Sequence, residues 1–142
     1  MKKVLFLMLL VVCSMNMTCE EDDDLLEVVM CDQSVVIDSD LYVNLNSDTF
    51  SHAEIVDDCL QIEITSSGCS GESWEFKLVD SGVVAESLPE QRNLKFKLVN
   101  EELCLAIFSR EVSFDLTPLQ VDGSNEVVLN IEGFNTSLSY KY

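Results

Sequence analysis

From residue 60 onward, apolar and polar side chains alternate with a period of two, segment after segment. Only extended strands with one covered face use that pattern. Leu60, Ile62 and Ile64 alternate with Gln61, Glu63 and Thr65, and Leu94, Phe96 and Leu98 with Lys95, Lys97 and Val99. Trp74, Phe76 and Leu78 alternate with Glu75, Lys77 and Val79, and Val112, Phe114 and Leu116 with Ser113 and Asp115, until Pro118 stops the strand. Val127, Leu129 and Ile131 follow, and Leu138, Tyr140 and Tyr142 close the chain. A helix would scatter these residues around its circumference. Residues 103 to 108 differ, because Leu103, Leu105 and Ile107 on one parity and Cys104, Ala106 and Phe108 on the other are all apolar. That composition predicts a central strand covered on both faces.

The connectors carry turn chemistry: Ser66-Ser67-Gly68, Asp80-Ser81-Gly82, the stretch around Pro89, Asp122-Gly123-Ser124-Asn125 and Glu132-Gly133. The first half is less regular. No glycine or proline precedes Gly68, so turns there rest on Asp38-Ser39-Asp40, Asn46-Ser47-Asp48 and Asp57-Asp58. Residues 25 to 31 and 34 to 37 are apolar enough for strands, and Leu41, Val43 and Leu45 alternate with Tyr42 and Asn44. Short strands at short spacing without a helical period predict an all-β fold, an antiparallel sandwich or barrel of eight or nine strands; the expectation carried forward is an antiparallel β-sandwich of immunoglobulin-like architecture. Residues 26–142 are one domain's worth of chain.

The N-terminus reads as an export address. Lys2 and Lys3 precede an apolar run over residues 4 to 12, which fits a signal-peptide core and falls short of the roughly 20 residues a membrane span needs. Continuing a span would carry Glu20, Glu21, Asp22, Asp23 and Asp24 into hydrocarbon. With its cysteine, the stretch resembles the signals of bacterial lipoproteins, although Asn16, Met17 and Thr18 match the pattern before a lipidated cysteine poorly at two of three positions. The acidic run after Cys19 resembles the surface-export tag of lipoproteins from Bacteroidota-type bacteria, and like charges also keep a tether extended. The expected layout is a lipoprotein signal peptide over 1–18, a lipidated Cys19 with its acidic tether over 19–25, and the folded body over 26–142. The resemblance implies a bacterial outer-membrane lipoprotein exposed at the cell surface.

The formal charge is −18 from 26 acids against eight basic residues. Removing Lys2 and Lys3 with the signal leaves six basic residues, 6 − 26 = −20. Such a surface repels nucleic-acid phosphates, so no nucleic acid is expected as a partner.

Cysteines stand at positions 13, 19, 31, 59, 69 and 104. Without Cys13 and Cys19 four remain, which in an exported small domain reads as two disulfides. Three pairings are possible. The one carried forward joins Cys69 to Cys104, closing a loop of about 35 residues worth roughly 3–4 kcal/mol, and Cys31 to Cys59. The competing Cys59–Cys104 pair brackets Trp74 in the manner of immunoglobulin domains, but Glu102 stands where their tyrosine would be.

The stretches Asp58-Cys59-Leu60, Ser67-Gly68-Cys69, Glu102-Leu103-Cys104 and residues 112 to 119 (VSFDLTPL) resemble a group of uncharacterised, flavobacterial-like Bacteroidota surface lipoproteins. The resemblance runs from about Asp58 to Tyr142. It implies a fold and a location, and no activity.

No catalytic constellation stands out. His52 is the one histidine, beside Ser51, and no G-x-S-x-G elbow accompanies it. Asp57 with Asp58, Glu72 with Glu75 and Glu101 with Glu102 are carboxylate pairs of the kind glycosidases use, but a chain this acidic generates them by chance. There is no C-x-x-C for zinc. Asp38, Asp40 and Asp48, with Asn44 and Asn46, form a weak calcium candidate lacking the glycine and spacing of an EF-hand. Trp74, Phe76, Phe96 and Phe114 share parity with core positions, whereas Tyr42, Phe50, Phe134, Tyr140 and Tyr142 are freer to form an exposed glycan platform. The expectation is a non-catalytic interaction or accessory module without a cofactor. It is held at the membrane by its lipid and meets an envelope protein or glycan. A glycan- or calcium-binding module is the alternative.

Overall fold

The computed structural model describes residues 30–142. The segments expected as a signal peptide (1–18) and as Cys19 with its tether (19–25), and most of the strand expected over 25 to 31, lie outside the described residues. Nine strands form: β1 (Gln33–Ser34), β2 (Val36–Ile37), β3 (His52–Val56), β4 (Cys59–Gly68), β5 (Glu75–Ala85), β6 (Glu90–Val99), β7 (Ala106–Asp115), β8 (Glu126–Ile131) and β9 (Leu138–Lys141). They assemble into a four-stranded sheet, β1-β7-β4-β3, and a five-stranded sheet, β2-β5-β6-β8-β9.

The two sheets face each other across one core. Leu60, Ile62 and Ile64 of β4 and Val112 and Phe114 of β7 meet Leu78 of β5, Leu94 and Phe96 of β6, and Val127, Leu129 and Ile131 of β8. The Phe96 and Phe114 rings touch edge-on, centroids 6.2 Å apart. These are the apolar positions of the period-two pattern. Each fully buried aliphatic or aromatic side chain contributes about 1.5–3 kcal/mol relative to exposure.

Both sheets are mixed rather than purely antiparallel. β1 lies parallel to β7, β2 parallel to β5, and β6 parallel to β8. The third pairing arises because the chain leaves β6 for β7 in the other sheet and returns beside β6 as β8. The first two arise because residues 34 to 37, expected as one strand, divide at the buried Val35 and supply an edge to each sheet. The alternation at Leu41, Val43 and Leu45 is likewise not a strand. Asp38 caps a six-residue helix, α1 (Ser39–Asn44), its carboxylate accepting the Leu41 N–H at 2.9 Å. Lys95 of β6 donates to the Tyr42 and Leu45 carbonyls at 3.0 and 2.9 Å and stands 4.7 Å over the Tyr42 ring.

Asp80-Ser81-Gly82 is a bulge inside β5, not a turn between strands. The register against β6 shifts between Asp80 and Val84, and Gly82 takes the left-handed conformation (φ 75°). One Asp80 oxygen accepts from Gly82 N–H (2.8 Å) and Arg92 Nη1 (2.9 Å). Its second oxygen and Arg92 Nε are buried without a partner among the described residues. Burial raises the Asp80 carboxyl above its ordinary range, against the opposing pull of Gly82 and Arg92.

Candidate functional site

The largest departure from the sequence-based expectation lies at residues 103 to 108. Instead of a doubly covered strand, Leu103, Leu105 and Ile107 are 93, 89 and 69% exposed. β7 begins only at Ala106, and β1 flanks it only at Phe114 and Asp115. On that side, residues 106–112 pair with nothing among the described residues, whereas β4 pairs with the whole strand on the other. The result is a half-edge of unpaired main-chain groups bordered by apolar side chains.

The segment leading into this edge is pinned in four ways. Cys69 and Cys104 are bonded, with Cα atoms 4.8 Å apart. Asn100 donates to the Ser67 carbonyl at 2.7 Å and accepts the Glu102 N–H at 2.9 Å. The Glu102 carboxylate accepts the Ser73 hydroxyl at 2.7 Å, the N–H groups of Gly71 and Ser70 at 3.1 and 3.0 Å, and the Cys69 N–H. Gly71 (φ 72°) turns these successive amides toward one point, a backbone nest for an anion. The Ser73 hydroxyl first, then the amides, hold the Glu102 carboxyl down to about 2. Gly68 is required here, since a Cβ would meet the Glu102 carboxylate and the Trp74 indole, the latter at 3.1 Å. Leu103 and Leu105 are therefore presented on a fixed segment.

The outer face of the β3-β4-β7 sheet continues from this stripe and is acidic. Facing outward are Glu54 of β3, Glu63 of β4, and Ile107, Glu111 and Asp115 of β7, in register opposite the buried parity of Leu60, Ile62, Val112 and Phe114. Glu63 and Glu111 are direct cross-strand partners, an unfavourable like-charge pair. The outward residues of these three strands include no lysine or arginine, and His52 stands 3.9 Å from Glu54. Arg110 has the opposite parity, its stem against Gly71.

The other sequence-derived candidates separate. Cys31 and Cys59 are bonded, Cα atoms 5.6 Å apart, so the Cys59–Cys104 pairing is excluded. Asp38 is spent on its helix cap, Asp40 lies in the first turn of α1, and Asp48 is paired with Lys97 at 3.0 Å and accepts the Leu98 N–H at 2.9 Å. These oxygens do not converge on a calcium. Nor do the aromatics form an exposed row. Tyr140 is fully buried, its hydroxyl between Asp58 and Gln120, and burial with the Asp58 carboxylate pushes the phenol up to about 12. Phe50 stacks on Phe134 at 4.9 Å and both pack on the core, while Tyr142 bonds Val121 N–H at 2.8 Å. His52 is exposed, and its one polar side-chain contact among the described residues is Glu54 at 3.9 Å. Of the paired carboxylates, Asp58 is engaged by Tyr140 and Glu102 by the nest.

No family model and no curated protein matches the chain. Two solved structures do. One is a protein from Parabacteroides distasonis described only as toxin-related, 16% identical over 78% of this chain with a TM-score of 0.48. The other is a protein of unknown function DUF1344 from Bacteroides vulgatus, 13% identical over 78% of this chain with a TM-score of 0.48. The chain spans 58 and 56% of the length of these two proteins.

Proposed function

We propose that this chain is a lipid-anchored protein of the bacterial outer-membrane surface whose folded body is a non-catalytic protein-interaction module. The observation carrying the reading is the exposed triad Leu103, Leu105 and Ile107 beside the half of β7 that is unpaired among the described residues. A contiguous apolar stripe next to free main-chain groups costs solubility unless something covers it. Two disulfides fit an oxidising compartment, which agrees with export. An immunoglobulin-like sandwich is part of the proposal, supported by two sheets on one core and by an N-terminal edge that passes from one sheet to the other. No observation favours the glycan or calcium alternative: Asp38 caps its helix, Asp48 pairs with Lys97 and bonds the Leu98 N–H, and Tyr140 is buried.

Two measurements test the two halves of the reading. Mass spectrometry of the native N-terminus is expected to find diacylglyceryl-Cys19, and a Cys19→Ser chain is expected to leave the membrane fraction. An intact Met1 peptide from cytosolic protein overturns the anchoring. A photo-crosslinking amino acid at position 107 of the anchored protein is expected to trap a partner in living cells, and at the half-buried position 130 to trap none. Equal yields at both positions overturn the interaction role.

A further inference from the structure

We infer that the half of β7 left unpaired among the described residues accepts an extended segment of another protein as an added strand, and that this segment carries lysine or arginine. The inference rests on the interaction reading above and names the chemistry of the partner. An incoming strand lying along residues 106–112 completes the main-chain hydrogen bonds that β1 supplies only at Phe114 and Asp115. Its side chains on the outer face then follow the order that β7 sets. Apolar groups lie beside Leu105 and Ile107, and further along the strand a cation reaches Glu111 and its cross-strand partner Glu63. There it relieves the repulsion between two carboxylates that lack a lysine or arginine on their own face. On the other face the neighbours are Ala106, Phe108 and Arg110; the last disfavours a cation on that side, so the lysine or arginine belongs on the outer face.

Charge decides between this occupant and a second copy of the chain. A second copy brings another formal charge of −18, and with it another outer face bearing Glu54, Glu63 and Glu111. A basic strand is drawn toward the same face. The pinning of the preceding segment by the Cys69–Cys104 bond and the Glu102 nest keeps the apolar stripe in place before the partner arrives, so little ordering entropy is lost on docking.

The test uses the exported, disulfide-bonded protein and synthetic seven-residue peptides. The probes are Lys-Thr-Lys-Thr-Val-Thr-Val and its reversed sequence, covering antiparallel and parallel docking. The controls replace lysine by glutamate in one pair and valine by serine in the other. At least one probe is expected to shift the amides of residues 106–112 in NMR spectra and to protect the alternate ones that do not already bond β4, with affinity falling as salt rises. Both controls are expected to bind about 10-fold more weakly or worse, as is the probe to a Leu105→Ser, Ile107→Thr protein. These positions are exposed, so the variant keeps its fold, which its circular dichroism and thermal midpoint check.

Amide shifts centred elsewhere, equal binding of the glutamate peptides, or failure of every probe overturn the inference. So does a homodimer in sedimentation that the double substitution dissolves, which assigns the edge to a second copy. In each case crosslinking at position 107 still reports separately on the broader interaction role.

Discussion

The two halves of β7 are similarly apolar in sequence and opposite in what they do. From Val112 to Asp115 the strand has β4 on one side throughout and, on the other, Asp32 at Ser113 and β1 at Phe114 and Asp115; Val112 and Phe114 are buried, and the Asp32 carboxylate accepts both the N–H and the hydroxyl of Ser113 at 2.8 and 2.7 Å. From Ala106 to Glu111 the strand has β4 alone, and Ile107 stands in solvent. Apolar composition reports a surface that is better covered. It does not say whether the cover comes from the same chain. In the C-terminal half the opposing sheet provides it through Leu78, Leu94 and Phe96. In the N-terminal half Phe108 is half-buried, and nothing among the described residues covers Ile107.

Two substitutions probe this division most strongly. Phe114→Ala empties a fully buried site that touches Phe96 across the sandwich, and is expected to cost about 3–5 kcal/mol in a denaturant titration. A loss below 1 kcal/mol would mean that the C-terminal half of β7 is not the cohesive half. Replacing Cys69 and Cys104 by serine comes next, at roughly 3–4 kcal/mol from loop entropy. Hydrogen exchange of the double variant is expected to quicken at residues 100–107 and stay slow at 112–115. Uniform quickening would show that the two halves open together.

The core was legible because the period-two rule reports which face of a strand is covered, and Leu60, Ile62, Phe96, Phe114, Leu129 and Ile131 obey it. Where it misled, a local interaction outweighed the pattern. At Leu41 and Val43 the Asp38 cap, together with Lys95 reaching in from β6, favours one and a half turns of helix. At Asp80-Ser81-Gly82 the residues of a turn serve as a bulge because Arg92, twelve positions along, pins Asp80 within the sheet. Mixed pairing was out of reach, since periodicity is blind to strand direction. Of the candidate site, Leu103, Leu105 and Ile107 were visible as apolar and were misread as interior. Glu102 was visible only as half of a carboxylate pair. The signal that would have singled it out is the Gly68-Cys69-Ser70-Gly71 run, whose glycines permit the nest its carboxylate fills.

The Glu102 nest gives a smaller, pH-gated effect on the same region. Its folded value of about 2 lies below the ordinary carboxylate value of 4.5, so its stabilisation is fully present above that ordinary value and is lost as pH falls toward 2. Thermal midpoints of the wild type are expected to drop across that window by more than those of Glu102→Gln, whose amide does not titrate. Parallel curves for the two proteins would mean that the nest does not hold the charged form.

The smallest expected effect is the most pointed. Leu105→Ser with Ile107→Thr removes two large apolar side chains, one just before and one at the start of the strand that Phe114 anchors, yet both are exposed, and threonine retains the β-branching that suits a strand. Stability is expected to stay within about 0.5 kcal/mol of the wild type, as for surface substitutions elsewhere. In a buried site the same two changes would cost several times that amount. A urea midpoint shifted by as much as for Phe114→Ala would mean that this edge is covered by the chain itself in solution, and no free edge would remain for a partner. An unshifted midpoint, combined with loss of the crosslink at position 107 or of peptide binding, separates what holds the molecule together from what it offers to others.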